Sequence, residues 1–101
     1  HGKFRRQRQM CIRDRLEFET EDDLNKRAEL YEKDAPKLFP TAEILLTIKT
    51  GPTTAMSVSI YPDKQSAEES LIRRDKHFKT AKIQPRESWY LEGKVVQRHI
   101  K

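Results

Sequence analysis

The sequence predicts a small α+β domain whose elements follow the order β-α-β-β-α-β. The main observation is a pair of alternating apolar and polar stretches, at residues 44–48 and 56–60, on either side of a Gly-Pro pair at residues 51–52. This pattern is typical of an antiparallel hairpin, because glycine and proline supply the backbone angles that turns require. The second stretch runs through a Tyr-Pro-Asp junction directly into residues with helical spacing, which places a strand immediately before an amphipathic helix.

The first strand is predicted only from its end. Leu16 and Phe18 alternate with Glu17 and Glu19, as in the last residues of a strand, whereas residues 1–15 show neither strand nor helix periodicity. We therefore expect a first strand that is truncated. With 101 residues the chain can build one modest core but cannot easily cover a whole sheet, so oligomerisation is also expected.

Residues 1–15 carry the whole net charge of the chain. They contain six basic residues and one acidic residue, which equals the formal charge of +5, whereas residues 16–101 contain 15 of each sign. A nucleic-acid-binding arm and a solvated, disordered tail are two interpretations. We favour a third, an artefact, because the stretch QMCIRDR resembles a translated sequencing-adapter fragment. We therefore define residues 1–15 as a basic, disordered or artefactual tail and residues 16–101 as one domain, and we expect no nucleic-acid partner.

Two helices are predicted from their caps and apolar stripes. The first covers residues 22–34, with Thr20 as its cap and Pro36 beyond its end. The second follows the Tyr-Pro-Asp junction, which supplies Asp63 as a cap. The residues at helical spacing are Leu24, Ala28, Tyr31 and Ala35 in the first helix, and Ala67, Leu71, Arg74 and Phe78 in the second, with Ile72 beside them.

We expect the more apolar face of the hairpin to pack against the helices. That face consists of Ile44, Leu46, Ile48, Met56, Val58 and Ile60. The opposite face consists of Leu45, Thr47, Ser57, Ser59 and Tyr61, and Tyr90 and Val96 of the last strand are candidates to join it. Because this second face is partly apolar, a second copy of the chain is its expected cover, which predicts a homodimer through the sheet.

With its first strand restored, this order of elements is the ferredoxin-like split βαβ arrangement, an antiparallel sheet with two helices on one face. The order, together with the strand-Tyr-Pro-Asp-helix junction, resembles the dimeric α+β barrel superfamily, and in particular its small members related to antibiotic biosynthesis monooxygenases. The resemblance covers residues 16–96 and implies two sheets packed face to face in a homodimer, with a ligand pocket between each sheet and its helices. Some members oxidise aromatic polyketides without metal or flavin, and others bind or degrade haem.

Four residues are candidates for such a pocket. His77 is a candidate general base or haem ligand, with a solvent-facing histidine as the alternative. Trp89 is a candidate substrate platform or, alternatively, a core or interface anchor. Tyr61 and Tyr90 are candidates to orient a phenolic substrate through their hydroxyls, although Tyr61 also suits a strand end and Tyr90 a dimer contact.

No cofactor is predicted, and haem is not expected, because Asn25, the only asparagine, lies in no motif that the haem-degrading relatives require. Cys11 is the only cysteine, and no Cys/His spacing suggests a metal site. No stretch is long and apolar enough for a membrane span or a signal peptide, so the cytoplasm is the expected location. Three functions stay open: a cofactor-independent monooxygenase-like enzyme acting on a small aromatic molecule, a non-catalytic small-molecule-binding or regulatory dimer, and a nucleic-acid-binding protein supported only by the tail.

Overall fold

The structure is a computed structural model that describes residues 8–97 and residue 99. Its helices and strands follow the predicted order. The strands form a single antiparallel sheet in the order β2-β3-β1-β4, and the two helices pack on one of its faces. The fold is therefore ferredoxin-like, as expected. The elements are β1 (Met10–Glu17), α1 (Glu21–Leu38), β2 (Ile44–Lys49), β3 (Thr54–Tyr61), α2 (Lys64–Thr80) and β4 (Glu87–Lys94).

Strand β1 is a full central strand. All eight of its residues pair antiparallel with β3 on one side and with β4 on the other. Residues 10–15, which the sequence analysis assigns to a tail, therefore belong to the sheet, and the domain boundary at residue 15 is wrong. The strand is hard to see in the sequence because charged side chains occupy both of its faces, with Arg13 and Arg15 on one and Asp14 on the other. Residues 1–7 of the predicted tail lie outside the described residues, and the adapter resemblance stays a prediction.

Helix α1 continues past the proline that was expected to end it. Its start is as predicted, since the Thr20 hydroxyl accepts a hydrogen bond from the backbone N–H of Asp23 at 3.1 Å. Pro36 lies in the last turn on the exposed side, where a missing N–H costs only one helical hydrogen bond. The N–H of Phe39 still donates to the carbonyl of Ala35 at 2.8 Å and closes the final turn.

The helices cover the face of the sheet opposite to the predicted one. Residues paired across antiparallel strands point to the same side, and Thr47 pairs with Ser57, which in turn pairs with Asp14. All three contribute to the space beneath the helices. The expectation that Ser57, Ser59 and Tyr61 face a partner is therefore wrong. We call the opposite side the outer face; it carries Ile44, Leu46, Ile48, Met56, Val58 and Ile60, together with Trp89 and Leu91 of β4.

The reversed orientation has a steric reason. The helices and their flanking loops supply the large core side chains, such as Leu24, Phe39 and Phe78, so small residues on the sheet leave room for them. Ala55 and Ser59 are accordingly buried on this side of β3. The core consists of two apolar clusters: Ile12, Ala35, Phe39, Tyr61 and Ala67 in one, and Leu16, Phe18, Leu24 and Ala55 in the other.

Replacing Ala67 with leucine should lower the free energy of unfolding by about 1–3 kcal/mol, because the extra carbon atoms must displace neighbouring core side chains. Ala67 is 0% exposed and belongs to the same cluster as Tyr61. Urea denaturation followed by circular dichroism measures the change. Ile72→Ala on the same helix is the control: the side chain is 70% exposed, and its loss should change stability by less than about 0.5 kcal/mol. A neutral Ala67→Leu would contradict the packing of α2 described above.

Candidate functional site

Two adjacent spaces, which share part of their walls, lie between the sheet and the helices. The first, which we call the inner cavity, has a volume of about 40 Å³, enough for a few water-sized groups. The second, which we call the outer groove, has a volume of about 390 Å³ and lies between α1 and β2. It is on the helix-covered side of the sheet and not on the outer face. That is within the range of about 300–1,000 Å³ in which small-molecule sites usually fall. The wall residues common to both are Leu24, Ala28, Tyr31, Thr47 and Ala55.

His77 on α2 lines the inner cavity and has an unpaired ring nitrogen. Its Nε2 is buried and has no hydrogen-bond partner among the described residues. Burial lowers the pKa of His77, the positive charge of Arg27 lowers it further, and Asp34 acts weakly in the opposite direction. The imidazole is therefore neutral at pH 7.

Arg74 on α2 is held tightly at the same cavity. Its Nε and Nη2 donate to Asp14 Oδ1 at 2.7 and 2.6 Å, and its guanidinium carbon lies 4.4 Å from the ring centre of Phe78 and 4.8 Å from that of Tyr90. Burial works against its charge, but the ion pairs with Asp14 and Asp75 prevail and raise the pKa of Arg74. The charge of this arginine is thus balanced within the protein.

Arg27 on α1 is buried without such a balance. It is 5% exposed, its Nη1 donates to the backbone carbonyl of Ile83 at 2.5 Å, and its guanidinium carbon lies 5.1 Å from the ring centre of Phe78. Burial lowers the pKa of Arg27, and the Tyr31 phenol opposes this only weakly. Within residues 8–97 it forms no ion pair with a carboxylate.

Tyr31 borders both the inner cavity and the outer groove. Burial raises the pKa of its phenol, and the neighbouring Tyr61 and Asp14 raise it further, against the effect of Arg27 and Arg74. The phenol therefore keeps its proton at neutral pH and is available as a hydrogen-bond donor where the two spaces meet.

Comparison with known proteins supports a fold assignment. No protein-family model and no curated protein matches the chain. A dimeric ferredoxin-like protein from an uncultured marine organism matches with a TM-score of 0.73 and 14% identity, over 100% of this chain and 99% of that one. A Caulobacter crescentus protein provisionally assigned to the antibiotic biosynthesis monooxygenases matches with a TM-score of 0.70 and 8% identity, over 96% and 98%. A variant of SnoaB, a cofactor-independent oxygenase from Streptomyces nogalater, matches with a TM-score of 0.68 and 9% identity, over 89% of this chain and 95% of that one.

The chain shares its fold with these proteins, one of which is a dimeric ferredoxin-like protein. The resemblance inferred from the element order is thereby confirmed, as a statement about the fold. Identities of 8–14% carry no information about the reaction of this chain. Its chemistry has to be argued from the site itself.

On this ferredoxin-like fold the four sequence-predicted pocket residues do not come together. His77 borders the inner cavity, and Tyr90 contacts Arg74 from β4. Tyr61 is buried in the core, 2% exposed, beside Ile12. Trp89 lies on the outer face, on the other side of the sheet from the cavity.

Sequence reasoning missed Arg27, although a signal was present. Arg27 stands three residues after Leu24 and four before Tyr31, so helical spacing places it on the buried stripe of α1. Charged residues are rarely buried, and such a position is normally assigned to solvent. Asp14 was missed because its segment was assigned to the tail.

No group of three or more His, Cys, Asp or Glu side chains within the described residues is arranged to hold a metal ion. Neither α1 nor α2 is long and apolar enough to cross a membrane. The absence of a cofactor and the cytoplasmic location stay predictions.

The pH dependence of stability should report the neutral state of His77. Because folding lowers its pKa, the unfolded chain binds this proton more tightly. The stability due to neutral His77 is therefore complete above the unfolded-state pKa of about 6.5 and is lost as the pH falls below it. Wild type should lose more unfolding free energy than His77→Gln between about pH 7.5 and about pH 5 in urea titrations. His99→Gln, at an exposed position, is the control; equal pH dependence of wild type and His77→Gln would contradict the assignment.

Proposed function

We propose that this protein binds a small aromatic molecule between its sheet and its helices and oxygenates it without a cofactor, with His77 as the base. The observation that carries the proposal is the unpartnered, neutral Nε2 of His77 in a largely apolar cavity that Arg27 and Arg74 also line. A base in that setting can remove a proton and leave the resulting anion beside positive charge. The same-fold SnoaB, a cofactor-independent oxygenase, gives the proposal a precedent.

The chemistry requires a substrate that becomes electron-rich on losing a proton, such as a phenol. His77 Nε2 takes the hydroxyl proton, and the Arg27 guanidinium, which no described carboxylate balances, stabilises the phenolate electrostatically. The phenolate then reduces O₂, and an oxygen–carbon bond forms at a ring carbon. Overall the hydroxyl and that ring carbon each lose one hydrogen, the carbon gains one oxygen atom of O₂ to give a quinone, and the second oxygen atom leaves as water.

A non-catalytic binding protein is the second candidate. One observation favours it: the polar groups at the inner cavity apart from His77 include Arg74 and Asp14, which are already paired with each other. Binding an aromatic ring in the outer groove requires none of the proton chemistry described above.

We also propose that two copies associate through the outer face, rather than through the face that the sequence analysis selected. Leu46 is 52% exposed, Trp89 46% and Leu91 61%, so the sheet presents apolar side chains, on either side of Arg13 and Arg15 of β1, that no described element covers. The neighbour from the uncultured marine organism is a dimeric ferredoxin-like protein, which supports the association of two copies. A sheet with helices on one side only is completed naturally by a second sheet on the other.

The catalytic role is tested by oxygen uptake with a panel of phenols and naphthols. His77→Gln should lower the rate by at least about 100-fold, because general base catalysis typically contributes about 10²–10⁴-fold. His99→Gln should keep the wild-type rate. Full activity in His77→Gln would rule out the base. Binding of the panel without any oxygen uptake by the wild type would reject the oxygenase and favour the binding protein.

The dimer is tested with Leu46→Asp, which places a charge among the apolar side chains that β2 and β3 contribute to the outer face. Light scattering after size-exclusion chromatography should show a dimer for the wild type and a monomer for this variant, because an unpaired buried charge is costly. Ile72→Asp introduces the same charge on α2, where the side chain is 70% exposed, and should stay dimeric. A monomeric wild type at micromolar concentration would overturn the proposal.

A further inference from the structure

Arg27 is a buried cation that forms no ion pair with the described residues. It is 5% exposed and has one hydrogen bond, to the backbone carbonyl of Ile83. A guanidinium has further N–H donors in a planar fork that matches a carboxylate, and the described residues supply no carboxylate to them. Burying an unpaired charge is unfavourable. An anionic ligand would therefore gain a favourable ion pair with Arg27 on binding.

Arg74 is an internal comparison within the same cavity. It is paired with Asp14 through two of its nitrogens and is sandwiched between the rings of Phe78 and Tyr90. Its interactions are therefore largely complete. Arg27 shares one of these aromatic neighbours, Phe78, at 5.1 Å, but has no counterpart of Asp14. The cavity thus holds two guanidinium groups, and the described residues neutralise only one of them.

The two spaces have the sizes of the two parts of an aromatic acid. The inner cavity, at about 40 Å³, has room for a carboxylate but not for a ring, since one water-sized group needs about 10–15 Å³ by the same kind of measure. The outer groove, at about 390 Å³, has room for a ring and offers the apolar walls Leu24, Ala28, Ala35 and Leu45. Tyr31 stands on the boundary between the two.

We propose that the ligand is an aromatic carboxylate, whose carboxylate enters the inner cavity and pairs with Arg27 while its ring occupies the outer groove. This inference rests on the proposed function and deepens it, because it specifies the charge and the orientation of the molecule bound there. The substrate would then be an aromatic acid whose hydroxyl is adjacent to its carboxylate, so that both groups enter the inner cavity that His77 and Arg27 line, with Arg27 as a specificity-determining residue.

A consequence for His77 follows from the same geometry. The positive charge of Arg27 is one of the two causes that lower the pKa of His77. A carboxylate on Arg27 cancels that repulsion, so the imidazole becomes a stronger base when the ligand is bound. The groups that act electrostatically on His77 are Arg27 and Asp34 of α1, and the ion pair of Arg74 with Asp14 lines the same cavity.

Calorimetric titration with benzoate and with benzamide, its uncharged analogue of nearly the same shape, tests the proposal. Wild type should bind benzoate at least about tenfold more tightly than benzamide. Arg27→Gln should lower benzoate affinity by about tenfold or more and leave benzamide affinity nearly unchanged, whereas Arg27→Lys should keep a preference for benzoate. Arg73→Gln removes the same charge at an exposed position of α2 and is the matched control.

Equal affinity of the wild type for the two probes, or binding of neither, would overturn the proposal. Should Arg27→Gln fail to fold, the wild-type ratio and an NMR titration of His77 decide. Saturating benzoate should raise the pKa of His77, and benzamide should not; the same small shift with both would count against pairing at Arg27. These readouts do not depend on turnover, so failure of the oxygenase proposal would appear separately, as absent oxygen uptake beside an intact preference for benzoate.

Discussion

The structure depends on one constraint: a four-stranded sheet has two faces, and residues 8–97 supply helices for only one of them. Both helices lie on the side of Thr47, Ser57 and Asp14. This orientation determines where the cavity lies and which face of the sheet stays uncovered. The large side chains of the helical layer meet small residues on the sheet, which leaves a cavity between the layers. The apolar side chains of the other face have no cover within the described chain, which makes that face the natural surface for association.

The polar groups of the cavity lie between the two apolar clusters of the core. Along β1, Asp14 falls between Ile12 of one cluster and Leu16 of the other, and it anchors Arg74 of α2 through hydrogen bonds of 2.6 and 2.7 Å. This buried pair ties the helix to the central strand and orients the guanidinium between two aromatic rings. Arg74 is thus paired. At the same cavity, Arg27 has no carboxylate partner among the described residues, and His77 Nε2 has no hydrogen-bond partner among them. The distinction between a structural and a ligand-binding arginine is thus one of partners and not of residue type.

Much of the fold could be predicted from periodicity, and the limits of that prediction have physical causes. Alternation in β2 and β3 and the cap at Thr20 located their elements well, because these signals act over a few residues. Strand β1 was taken for a tail because its charged side chains mask the alternation, although they are accommodated on both faces of the sheet. Of the site, His77 was identified in advance, whereas Arg27 was not, because no local pattern indicates that a charge is buried.

The sequence by itself determined the order of the elements, the antiparallel hairpin and the strand that leads through a Tyr-Pro-Asp junction into a helix. These depend on backbone preferences and on spacing between near neighbours. Only the tertiary structure decided which face of the sheet meets the helices. Both faces carry apolar residues, and the choice depends on how well the helical side chains fit Ala55 and Ser59. The same packing buries Arg27 against Ile83, which is distant in the chain, and leaves Arg27 without a carboxylate partner among the described residues.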